Sequence, residues 1–138
     1  MKNSVYVATL AILLISGNAT AACSNGPGVA RVNDPAALLA GKTVCAAIGG
    51  DRWQEFHTGT TSGLLIDYKR GPGHPVDPSG TVGSWSVSGS GGNTVVNHTY
   101  GSVTYPYSVF NNGNGTYSFC SANPEIVATV LTGQVACP

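Results

Sequence analysis

After residue 41 the chain alternates between short runs rich in Thr, Val, Tyr, Phe and Trp and clusters of Gly and Asn. Residues of the first kind fit a pleated, half-buried surface, and Gly and Asn supply the positive φ angles that tight hairpins demand. The pattern predicts eight strands, over 42–48, 52–58, 63–70, 81–88, 94–100, 103–110, 116–121 and 126–132. Their breaks fall at Gly49-Gly50, Gly89-Ser90-Gly91-Gly92-Asn93, Gly101-Ser102 and the Asn/Gly run from Asn111 to Gly115. Connections this short leave no room for crossover helices. The expected fold class is therefore all-β, a single antiparallel meander of about eight strands that closes, or nearly closes, into a small barrel. Two stacked sheets are the other solution. One short helix precedes the strands, with Asp34 as its cap, Pro35 at its first position and Gly41 as its stop. Residues 71–80, with Pro72, Pro75 and Pro78, form the one long interruption and read as a structured loop over one end of the sheet.

Because strand side chains alternate faces, hairpin pairing assigns an interior. With Gly59–Ser62 as a loop, Trp53 opposes Tyr68, Glu55 opposes Ile66 and His57 opposes Leu64. That face carries more apolar bulk than the one bearing Gln54, Phe56, Leu65, Asp67 and Lys69, and is expected to point inward. From the Gly101-Ser102 turn, Val96, His98, Tyr100, Val103, Tyr105 and Tyr107 share a face, joined by Trp85 and Val87. The residues expected to line a ligand site are Trp53, Glu55, His57, Tyr68, Trp85, His98, Tyr105 and Tyr107. Aromatic rings with polar tips suit a moist pocket, and they equally suit the packed filling of a small barrel.

The first 22 residues have a different pattern. Lys2 supplies a positive start, Val5 to Ile15 is an apolar run broken only by Thr9, and Ala19-Thr20-Ala21 and Thr20-Ala21-Ala22 offer small residues for cleavage. The run is about 11 residues, short of the roughly 20 that a transmembrane helix needs. It reads as a signal peptide over 1–22, leaving a single disulfide-stabilised β domain over 23–138. Export to the periplasm or beyond is expected, with lipid anchoring through Cys23 as the lesser alternative. The four cysteines, Cys23, Cys45, Cys120 and Cys137, form an even set in the exported part, which implies disulfides. Of the three pairings, Cys23–Cys45 with Cys120–Cys137 closes short loops at both ends, and Cys45–Cys120 with Cys23–Cys137 is the alternative if barrel closure brings the chain ends together.

Charge then removes whole function classes. Only 9% of the 138 residues are charged, six basic against six acidic. No nucleic-acid footprint and no polybasic surface for anionic lipid follow from such a balance. Glu55-x-His57 places two metal ligands on one strand face, fewer than the three or four that a site requires, so no metal or cofactor is expected. No Gly-x-Ser-x-Gly lies between a strand and a helix, and Glu55 and Asp67 fall on opposite faces in this register. No catalytic residue is assigned, and an enzyme is the less favoured class.

Leu38-Leu39-Ala40-Gly41-Lys42-Thr43-Val44-Cys45, a short helix running through Leu-x-Gly into the first strand, resembles the lead-in of calycin-type barrels. Gly83-Ser84-Trp85 has their Gly-x-Trp form on the fourth strand. The chain is also similar to small exported proteobacterial proteins with Trp-Gln-Glu, Asp-Tyr-Lys, Val-Gly-x-Trp and Tyr-Ser-Phe-Cys segments. The expected function is a non-catalytic binding barrel for a small or amphipathic ligand. The alternative is a protein-interaction module, an inhibitor of an exported hydrolase or an attachment protein, working through loop 71–80 and hairpin tips such as 111–115.

Overall fold

The computed structural model describes residues 23–48, 51–67, 80–122 and 125–138. The signal segment over 1–22, Tyr68 and most of loop 71–80 lie outside the described residues.

Eight strands close an antiparallel barrel: β2 (Lys42–Ile48), β3 (Asp51–His57), β4 (Ser62–Asp67), β5 (Gly80–Ser88), β6 (Val95–Tyr100), β7 (Val103–Asn111), β8 (Tyr117–Cys120) and β9 (Ile126–Thr132). Each pairs with the next, and β9 returns to β2 to complete the ring. The up-and-down order follows from the short turns, and closure removes the free edges of an open sheet. A two-residue strand, β1 (Ala30–Arg31), adds to β7 beyond the start of β6.

The helix α1 (Pro35–Leu39) forms where expected, with the Asp34 carboxylate accepting from Ala37 N at 3.0 Å. Too short to stand alone, it docks on β2 and β6 and drives Leu39 into the core beside Val44, Leu65, Trp85 and Val96. Gly41 N then donates to the His57 carbonyl, and Gly133 N to the Gly41 carbonyl, which ties the helix end to β3 and to the tail.

The register from the Gly101-Ser102 turn agrees with expectation: Tyr100 faces Val103, His98 faces Tyr105 and Val96 faces Tyr107. The β3–β4 register is one residue away from it. Thr58 N donates to the Leu64 carbonyl and Leu64 N donates to the Thr58 hydroxyl, so the loop spans five residues rather than four. Glu55 therefore faces Asp67, Phe56 faces Ile66 and His57 faces Leu65. Period-two alternation makes the slip consequential. Leu65 is fully buried while Leu64 is 49% exposed, and Asp67 shares the inward side with Glu55 instead of opposing it across the sheet. Gly83 lies on that side too, where a Cβ would come within 2.3 Å of the Thr99 carbonyl oxygen and 2.9 Å of the Tyr100 ring.

The disulfides correct both favoured pairings. Cys23 joins Cys120, and Cys45 joins Cys137. Short-loop reasoning failed because the chain ends do not fold back locally; each is laid across the finished barrel. The tail covers the outer face of β2 and β3, with Thr43 Oγ1 donating to the Gly133 carbonyl at 2.6 Å and Gln54 accepting from Cys137 N. Thr43 and Gln54 are buried although they point outward. Two disulfides fit an oxidising compartment. Among the described residues no helix is long and apolar enough to cross a membrane.

Candidate functional site

The interior brings together residues that the sequence leaves on separate strands. His57 from β3 and His98 from β6 meet across the barrel, Nε2 to Nε2, at 3.0 Å. Trp85 stands edge-on to His57, Tyr107 stands edge-on to His98, and Phe119 packs against both His98 and Tyr107. The Trp85 indole N–H is satisfied by the Thr58 carbonyl at 2.8 Å. Tyr105 lies nearer the rim, with its ring 6.1 Å from that of Tyr100, and Trp53 is half-buried.

The proton positions follow from the partners. His57 Nδ1 lies 3.1 Å from the Glu55 carbonyl, which can only accept, so Nδ1 carries the hydrogen. Burial holds the His57 ring neutral, lowering its pKa to about 4, so its Nε2 is an acceptor. His98 Nε2 must then donate to it. Burial, with His57 beside it, lowers the His98 pKa to about 3 and leaves its Nδ1 bare. That nitrogen faces Glu55 Oε2 at 3.6 Å and the Tyr100 hydroxyl at 3.5 Å. The hydroxyl is committed to the Glu55 carboxyl, at 2.6 and 2.8 Å from its two oxygens. Glu55 Oε2 is beyond hydrogen-bonding distance of His98 Nδ1, and burial favours the protonated form of the Glu55 carboxyl. Its pKa rises to about 7, chiefly through burial; the Tyr100 hydrogen bond opposes the rise and the Asp67 charge adds to it.

Among the described residues this arrangement leaves little room for a reactant or ligand. A cavity of about 20 Å³ lies between Trp53, Glu55, His98, Tyr107, Phe119 and Ile126. That is room for one water molecule. Glu55 and His57 do not form the open cleft that an acid–base reading needs, being 8% and 0% exposed. Among the described residues no group of three or more His, Cys, Asp and Glu side chains could hold a metal ion.

A larger concavity lies outside the barrel, where the strand pattern gives no signal. It measures about 540 Å³ and is bounded by Ser24, Asn25, Arg31, Asn33, Gly92 and Phe110. Four sections of chain build it: the lead-in tethered by Cys23–Cys120, β1, the turn between β5 and β6, and the end of β7. Asn25 Oδ1 accepts from Arg31 N at 2.8 Å, and the Arg31 guanidinium lies over the Phe110 ring, 5.6 Å from its centroid. Arg31 and Tyr100 are the two residues missing from the expected site. Tyr100 was legible from its face; Arg31 carried no signal, because its neighbours converge only in three dimensions. No protein-family model, curated protein or solved structure matches this chain.

Proposed function

We propose that this protein is an exported, non-catalytic binding barrel, working in the periplasm or outside the cell, that takes a small ligand in the outer groove beside Arg31. The contrast in volume between two cavities bounded by described residues carries this reading: about 540 Å³ in the groove against about 20 Å³ beside Glu55 and His98. Small-molecule sites are commonly roughly 300–1,000 Å³. In this reading the polar interior is scaffold rather than pocket.

A fragment panel followed by amide chemical shifts on the oxidised, mature chain tests the reading. Bound fragments should move the amides of Ala30, Arg31 and Gly92. Binders that instead move the amides around Trp53, Tyr100 and Tyr105 would place the ligand at the barrel rim, and the groove reading would fail.

A further inference from the structure

We infer that the groove ligand carries a carboxylate, engaged by the guanidinium of Arg31; this rests on the groove being the binding site. No carboxylate pairs with Arg31 among the described residues: its side chain donates to the Thr94 carbonyl through Nη2 at 2.8 Å, and Nε is buried without a hydrogen-bond partner. Because Nε is buried, a ligand in the groove would be met by the Nη end of the guanidinium, through the N–H groups that Thr94 does not take. Stacking on Phe110 and the Thr94 bond hold the plane in place, which is the preparation that a two-point contact to a carboxylate needs.

The count of cations narrows the ligand further. Among the described residues the other side-chain cations, Lys42 and Arg52, do not bound the groove; they bond to Thr132 and to the Pro138 carbonyl. Among the described residues Arg31 is the side-chain cation on the groove wall; its fork fits carboxylate and phosphate alike, and the single charge of a carboxylate matches it better than the two of a phosphate. The exposed amide of Asn33 and the Asn25 side chain on the groove wall offer neutral polar contacts for the rest of the molecule.

The test uses the oxidised mature protein and matched probes: benzoate, hexanoate and succinate, the corresponding amides, and inorganic phosphate. At least one carboxylate should bind roughly tenfold or more tightly than its amide, as a charge-assisted pair predicts. Arg31→Gln should remove that preference, and Arg31→Lys should retain only part of it. Asn33→Asp, an exposed change, provides an independent arm and should weaken carboxylates severalfold while sparing amides. Gly92→Trp checks the location, since a Cβ on Gly92 meets nothing within 4 Å and the indole can occupy the groove. If no carboxylate binds, if phosphate binds as well as the carboxylates, or if Arg31→Gln binds like wild type, the carboxylate inference is overturned. Binding that survives Gly92→Trp overturns the groove reading itself.

Discussion

The barrel interior and the outer groove both contain charge-bearing side chains in a chain that has few of them, and they treat those side chains in opposite ways. Inside, His57 pairs with His98 and Tyr100 with Glu55, and the cavity beside them among the described residues is about 20 Å³. In the groove, Arg31 uses one donor on Thr94, leaves Nε unpaired and borders about 540 Å³. Buried polar groups are retained at a cost, so a closed network and an open cation carry different meanings. The closed network fixes which side chains pack together. The open cation is, in the proposed reading, the group that meets the ligand.

The contrast is broken most forcefully by changing what holds each region. Replacing Cys23 and Cys120 by Ser should cost about 2–5 kcal/mol in urea unfolding, as removal of a native disulfide typically does. It should also release Ser24 and Asn25 from the groove while the interior hydrogen bonds persist in the folded fraction. An unchanged carboxylate affinity in that variant would mean the lead-in does not build the groove.

Next in size is His98→Leu. It leaves the His57 Nε2 acceptor buried without a donor and removes the neighbour of Glu55, so a loss of about 2–3 kcal/mol is expected. Probe binding at Arg31 should be unaffected in the folded protein. Coupling between the two regions would show as a change in both measurements.

The smallest change is Glu55→Gln, whose amide reproduces the donor and acceptor of a protonated carboxyl; its effect is read from pH dependence. The Glu55 pKa is raised from 4.5 to about 7, so its contribution to stability is present at low pH and is lost as pH rises through about 7. His57 and His98 are lowered from 6.5 to about 4 and about 3, so theirs is present above 6.5 and is lost as pH falls through those values. Near pH 5.5 the unfolded chain binds nearly two extra protons on the histidines and the folded chain one on Glu55. Stability should therefore fall on acidification with a slope of roughly one proton. Glu55→Gln removes the opposing proton and should bring the slope to roughly two. Equal slopes for the two proteins in urea unfolding between pH 5 and 6.5 would disprove the proton assignment.

Eight strands, their antiparallel order and the capped helix were legible because turn chemistry and alternation are local: Gly101-Ser102 alone sets the register of β6 on β7. The aromatic interior at Trp85, His98, Tyr105 and Tyr107 followed from the same alternation. Four decisions belonged to the tertiary structure. Loop 59–63 took one more residue than the sequence suggests, through the Thr58–Leu64 bonds, and that exchanged Leu64 for Leu65 and turned Asp67 inward. Barrel closure placed His57 and His98, separated by 41 residues, in contact. The cysteines paired across the completed barrel, at separations of 97 and 92 residues, because the ends wrap around it. The groove at Arg31 exists only where the lead-in, the β5–β6 turn and β7 converge. Period and turn type are properties of neighbouring residues, and the sequence specifies them directly; closure, wrapping and convergence depend on distances between remote segments, which are set only when the barrel forms.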